Sequence, residues 1–227
     1  MAATIIKDGV TMIKDGVRIV IYGESFIDKS MTAQALSLAT GIPYIPKPSE
    51  QRLLQSLFSK NEPKGLSFFE LASLELKKME ERIQKETIFY KEGANFISDG
   101  SVLSEWMLAI SYMNLDANTK SYKPKYLLRQ LLNISDKKSS DLYLQAYGQV
   151  AKLHAKEWYS HVIELQEEQK EGLSAELKIS LRGAFQNIGL EPINIIGNEI
   201  EKIDKIIQLL NLPQILSSKE ALQQAKS

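Results

Sequence analysis

The chain has 227 residues, 28 of them basic and 28 acidic, with no cysteine and two histidines. That length buries the core of one large domain, and the cancelled charge supplies no global field toward nucleic acid or an anionic membrane, so any anion site must be local. Without cysteine there is no disulfide framework, thiol nucleophile or thiolate metal site, two imidazoles make little of a zinc site, and no apolar run or cleavable leader is evident, so the sequence reads as a soluble, cytoplasmic protein.

The chain opens on a near repeat, TIIKDGV at 4–10 and TMIKDGV at 11–17, in which each Asp-Gly is a turn signal between apolar residues. Two copies are too few for a solenoid. Residues 1–16 read as a hairpin or extension beside the first strand, with Met12 as the natural start the alternative. From 17 to 210, short β-branched runs alternate with long helical patterns, which predicts an α/β domain built of crossover units on a parallel sheet. The strands fall at Arg18 to Tyr22, Pro43 to Ile45, Asn95 to Ser98, His161 to Leu165 and Pro192 to Ile196. Helices are predicted over Lys29 to Thr40, Glu50 to Ser59, Ser67 to Glu86, Val102 to Met113, Lys125 to Leu132, Asp141 to Trp158, Ser174 to Asn187 and Glu199 to Leu210. The last of these carries an apolar stripe, Ile200, Ile203, Ile207 and Leu210. Residues 211–227 form a tail in which Ser217 and Glu220 have the spacing of a capping box, but so short a helix holds only if it docks.

The stretch GESFIDKS, 23 to 30, joins the first strand to the first helix and has the frame of a phosphate-binding loop, G-x-x-x-x-G-K-[ST]. In such a loop successive backbone N–H groups curl round an anion, here those of Gly23, Glu24, Ser25 and Asp28 to Ser30. The helix N-terminus adds its positive end, the lysine reaches the outer phosphates, and the hydroxyl binds magnesium. Lys29 and Ser30 match. Asp28 stands where the second glycine belongs, adding a Cβ and a negative charge. At about 4 Å and an effective dielectric near 20, two like charges cost roughly 4 kcal/mol. Affinity for ATP therefore persists only if Asp28 turns outward or is neutralised. Bulky Phe26 and Ile27 point the same way. The third strand ends in Ser98-Asp99-Gly100-Ser101, and an acidic residue at that end of a central parallel strand lies at the ligand crevice of an open sheet. Asp99 is thus the second candidate catalytic and magnesium residue, or else the N-cap or turn residue of the helix beginning at Val102.

In this order, with ALSLATGIPYIP, FISDGSVLSEW, HAKEWYSHVIEL and LRGAFQNIGLEPINIIG following the loop, the chain resembles the P-loop kinase-type ATP-binding proteins. These include nicotinamide riboside kinase-like domains and are related to nucleoside and nucleotide kinases. The resemblance covers roughly residues 17 to 210. It implies a P-loop NTPase three-layer sandwich, a five-stranded parallel sheet in the order 2-3-1-4-5 with helices on both faces. It also implies phosphoryl transfer from ATP, with Mg2+, to a small nucleoside-like acceptor. Gly23, Lys29 and Ser30 would hold phosphate and magnesium, and Asp99 would be the acidic residue of strand three.

Departures from that pattern fall where chemistry is expected. After the second strand such kinases commonly place a carboxylate that accepts the acceptor's proton, whereas this chain reads Pro46-Lys47-Pro48, the nearest acid being Glu50. Their lid carries arginines; here it reads QEEQKEGLSAELK, no arginine stands between Arg129 and Arg182, and only Lys170 and Lys178 could substitute. His154 reads as a packed or surface residue and His161 as structural. The alternating charges of LELKKMEERIQKE read as a solvated helix face. Lys120, Lys123, Lys125 and Arg129, interleaved with Tyr122 and Tyr126, form the one basic-aromatic patch and read as snorkelling side chains. Two functions are expected: a kinase weakened at its phosphate loop, or a catalytically inactive descendant that keeps the fold to bind a protein partner or regulatory ligand. A nucleotide hydrolase or switch is the remaining option.

Overall fold

In the computed structural model, residues 4–7, 10–13, 16–23, 29–63, 65–91, 94–118, 125–166 and 175–226 are described, by backbone alone at 4–7, 10–13, 68–69, 111–118, 125–141 and 175–178. Strands β1 (Thr4–Lys7) and β2 (Val10–Ile13) pair antiparallel as a two-stranded sheet of their own, with Lys7 opposite Val10 across the first Asp-Gly.

The main sheet has five parallel strands, β3 (Arg18–Gly23), β4 (Tyr44–Ile45), β5 (Phe96–Asp99), β6 (His161–Gln166) and β7 (Pro192–Ile196). Their spatial order is β4-β5-β3-β6-β7, which in chain order is 2-3-1-4-5, the order the resemblance implies. Between them run α1 (Lys29–Thr40), α2 (Glu50–Phe58), α3 (Phe68–Lys91), α4 (Val102–Asn118), α5 (Lys125–Trp158), α6 (Ala175–Gln186), α7 (Glu199–Leu209) and α8 (Ser218–Ala225).

Strand alternation divides the core into two layers. Ile19, Ile21, Ile97, Ile163 and Leu165 point to one face, where α1, α7 and α8 cover them with Leu36, Ile203, Ile206 and Leu222. Val20, Tyr22, Phe96 and Val162 point to the other, under Met79 of α3, Leu103 and Met107 of α4, Tyr147 and Ala151 of α5, and Phe185 of α6. The three layers, helices on sheet on helices, are those of the predicted sandwich. Strands buried on both faces explain why these runs read as unbroken apolar stretches. Arg18, at the start of β3, is buried in the sheet, as are Ser98, Asp99 and Glu164: its Nε donates to the Trp158 carbonyl at 2.5 Å and its guanidinium lies 5.1 Å from the Tyr90 ring centroid.

Three helices run longer than the sequence predicts, α4 by continuing past Met113 to Asn118. The stretch 133–140 between the predicted helices at 125–132 and 141–158 is helical, so α5 is continuous over 34 residues. Its Asn, Asp and Ser residues favour turns, but it holds neither glycine nor proline to stop a helix. The third helix continues past Glu86 to Lys91, carrying Phe89 onto the core beside Ile83. The tail helix does dock. Ser217 and Glu220 form the capping box, and Ala221 and Leu222 are buried in the α1 layer.

Candidate functional site

Gly23 is the last residue of β3, opposite Leu165 of β6. A Cβ there would drive into the Leu165 carbonyl oxygen and stand 3.1 Å from Leu165 Cβ, so close strand packing already demands this glycine, apart from any anion. Lys29 and Ser30 open α1. Glu24, Ser25 and Asp28, with Phe26 and Ile27, lie outside the described residues.

The Ser30 Oγ donates to Asp99 Oδ2 at 2.6 Å, across 69 residues of sequence. Register explains the meeting: Asp99 sits beside Ile21, two residues before the end of β3, and shares with Ile97 the face on which α1 lies. The Tyr44 hydroxyl, from the first residue of β4, bonds to both Asp99 and Ser30. Burial and then the Asp99 carboxylate hold it far above the ordinary tyrosine range, the Ser30 hydrogen bond and the Arg82 charge opposing. Nothing in the sequence marks Tyr44 beyond its place in the short predicted strand Pro43 to Ile45. The other reading of Asp99, as cap of α4, goes instead to Ser101, whose Oγ accepts from the Ser104 N–H at 3.0 Å.

Behind this pair lies a buried polar network that corrects the reading of 74–86 as a solvated face. Glu75, Lys78, Arg82 and Glu86, at the i, i+3, i+7 and i+11 positions of α3, are each at most 1 % exposed. Sign alternation along a helix looks the same whichever face is covered, and here the partners come from other elements. Arg82 pairs with Glu105 of α4 at 2.8 Å and donates to Ser98 Oγ at 2.7 Å and to the Asp99 carbonyl at 2.9 Å. Burial pushes the Glu105 carboxyl above the usual range, Arg82 offsetting part of the rise. Glu86 accepts from Ser98 Oγ at 2.9 Å and from the Tyr159 hydroxyl at 3.2 Å, and its Oε2 lies 2.6 Å from His154 Nε2. His154 is therefore packed, as expected, but against a carboxylate from α3 and not one of its own helix. Burial and then the Glu86 carboxylate raise the Tyr159 hydroxyl well above its ordinary range. Lys78 bridges Glu75 at 2.8 Å and Glu50 at 2.5 Å, so the acid nearest the second strand is tied to this network.

His161 opens β6 with its Nδ1 2.9 Å from Ser160 Oγ, and burial lowers its pKa. In the acidic segment, Lys170 lies outside the described residues and Lys178 is described by backbone alone. So too, Lys120, Tyr122 and Lys123 lie outside them, and Lys125, Tyr126 and Arg129 are known by backbone only. Every arginine whose side chain is described is engaged within the protein: Arg18 with Trp158, Arg52 with Glu81, Arg82 with Glu105, and Arg182 with Asn194.

A serine hydroxyl and a carboxylate are hard oxygen donors of the kind that suit magnesium, which keeps several waters and takes substrate phosphate oxygens. The donor set present thus fits that ion. Among the described residues no group of three or more His, Asp or Glu gathers to hold a metal, and no helix is long and apolar enough to cross a membrane.

No protein-family model matches the chain, and no curated protein matches it in sequence. Among solved structures it is similar to NadR protein in complex with NAD and AMP-PNP, at 12% identity over 87% of this chain and a TM-score of 0.49. The chain spans 50% of that protein's length. An unliganded sugar kinase from Janibacter sp. HTCC2649 is 12% identical, covering 87% of this chain and 95% of its own, with a TM-score of 0.33. The tRNA delta(2)-isopentenylpyrophosphate transferase of Staphylococcus epidermidis is 12% identical, covering 93% and 86%, with a TM-score of 0.24. Likeness at this level carries no weight for what this chain binds, which rests on its own residues.

Proposed function

We propose that the chain binds ATP with magnesium at the carboxyl edge of its sheet and transfers the terminal phosphoryl to a small, nucleoside-like hydroxyl. One observation carries the reading: the hydroxyl opening α1, singled out by the loop motif, and the carboxylate ending β5, singled out by its place at a strand end, lie 2.6 Å apart. In this reading Lys29 holds phosphate by charge, and Ser30 and Asp99 hold magnesium, the helix N-terminus adding its positive end. Magnesium, when bound, would neutralise charge on the phosphate oxygens. Glu50, in the first turn of α2, is the first acid after the second strand in the sequence; its side chain is 37% exposed and pairs with Lys78 at 2.5 Å. The acceptor class comes from the family resemblance.

A second reading, a catalytically inactive module that binds a protein partner, is favoured by the arginines. The guanidinium nearest Asp99, that of Arg82, is buried and spent on Glu105, Ser98 and the strand end. Phosphoryl transfer leans on exposed arginine, which contributes on the order of 10³-fold or more.

Calorimetric titration with Mg-ATP separates the two. Micromolar binding that is lost in Lys29→Ala and strengthened in Asp28→Gly supports the kinase reading. Absence of binding by both wild type and Asp28→Gly ends it and leaves the partner-binding module. A screen of nucleosides as phosphoryl acceptors then tests catalysis, and turnover indifferent to Lys29→Ala would place the chemistry elsewhere.

A further inference from the structure

We propose that Arg82, from the middle of α3, is the positioning residue of the Ser30–Asp99 pair: it fixes the end of β5 in the register that turns Asp99 toward α1. The inference rests on the reading of that pair as a magnesium site.

Strand β5 presents Phe96 and Ser98 to the α3–α5 layer and Ile97 and Asp99 to the α1 layer. Because side chains alternate, a slip of one residue would put Ser98 under Ser30 and send the Asp99 carboxylate into the opposite core. On one side the strand pairs with β3 as far as Asp99, which lies opposite Ile21; its other side is held less far. Its neighbour β4 has only two residues, Tyr44 and Ile45, whose partners are Ile97 and Ser98, so on that side the ladder stops one residue short of Asp99. Arg82 stands where the missing strand would. Its Nη2 donates to the Asp99 carbonyl at 2.9 Å, its Nη1 to the Ser98 hydroxyl at 2.7 Å, and its Nε to Glu105 at 2.9 Å, which anchors the fork to α4. Ser98 in turn donates to Glu86, fixing the hydroxyl from its other side.

Directly after Asp99 the chain turns at Gly100, whose φ of +89° favours glycine, and a Cβ there would lie 3.1 Å from Arg82 Nη2. The opposite edge of the same turn is held by the Gly100 N–H, which donates to the Ile21 carbonyl at 2.9 Å. The guanidinium, 1 % exposed, thus reads both residues at the strand end through a planar fork that a lysine cannot reproduce. A core ion pair alone would need only Glu105. The two further bonds, both to the residues that set the direction of Asp99, are what assign the positioning role.

The test is a double-mutant cycle on Ser30→Ala and Asp99→Asn, read by urea unfolding in the wild-type and Arg82→Lys backgrounds. In the wild type the two substitutions are expected to depart from additivity by about fivefold or more in the unfolding constant. In the Arg82→Lys background, where the charge facing Glu105 remains but the fork is gone, that coupling is expected to vanish. Coupling that persists there, or that is absent from the wild type, overturns the proposal and leaves Arg82 an ordinary core ion pair. Should Arg82→Lys fail to fold, Ser98→Ala removes the Nη1 acceptor while keeping every charge, and the coupling is expected to fall by half or more; no change refutes it equally. Mg-ATP titration of the wild type judges the magnesium reading separately. Coupling lost with Arg82→Lys in a protein that binds no Mg-ATP keeps the positioning role and sinks the nucleotide site. Mg-ATP binding in a protein whose coupling ignores Arg82→Lys does the reverse.

Discussion

Glu75→Gln should stabilise the protein above neutral pH and leave it unchanged in acid. Glu75 is 0 % exposed; its Oε1 accepts from Lys78 at 2.8 Å, and its Oε2 has no hydrogen-bond partner among the described residues. Burial pushes its carboxyl from 4.5 up to about 7, with Lys78 offsetting part of the rise and the charges of Glu105 and Glu50 adding to it. Tyr147, the remaining titratable neighbour, donates to the Glu75 carbonyl at 2.9 Å and is held protonated by its own burial. Because the folded-state pKa lies above the unfolded one, the contribution of Glu75 is most favourable below pH 4.5 and is lost as pH rises toward about 7. At about 1.4 kcal/mol per pH unit, the gap amounts to about 3 kcal/mol, an upper figure for a coupled pair. Glutamine mimics the protonated acid and cannot ionise. Urea unfolding of both proteins between pH 4.5 and 8.5 should give a difference near zero at the acid end, growing to about 3 kcal/mol in favour of the variant by pH 8. For a domain of this size that corresponds to a rise of about 6–12 °C in Tm. A difference that is flat with pH, or that favours the wild type above pH 7, would show that Glu75 is ionised throughout and that its pair with Lys78 is net stabilising.

Gly23→Ala should lower stability by about 1–3 kcal/mol in urea with or without nucleotide, since the added methyl meets the backbone of β6; unchanged stability would show that the strand yields there. Leu222→Ala, which opens a hole under α1 at a residue 6 % exposed, should cost about 2–5 kcal/mol by the same measurement, and a near-neutral result would mean that α8 does not hold the core. Tyr159→Phe strips one donor from Glu86 and the acceptor of the Val102 N–H, and should cost about 1–3 kcal/mol. A neutral result in thermal melts would show that the buried network repairs itself around the loss.

The sequence alone determined the local things. It placed α1 at Lys29–Thr40 and β7 at Pro192–Ile196, the capping box at Ser217 and Glu220, and, through the run of strand-helix units, a parallel sheet whose order agrees with the resemblance. These signals are legible because periodicity, caps and turn residues act within a few positions of one another. It also named Ser30 and Asp99, since each stands at a strand or helix end that topology brings to one edge. Only the tertiary structure decided which charges are buried. The stripe Glu75, Lys78, Arg82 and Glu86 alternates in sign like any solvated helix face, and its partners Ser98, Glu105, His154 and Tyr159 stand 12 to 73 residues away. A charge can leave water only when a partner arrives to replace the hydration it loses, and which partner arrives is fixed by how helices pack across the sheet. The same reason hid Tyr44 and gave Gly23 a packing role, for both depend on a neighbouring strand's register and not on their own surroundings in the chain.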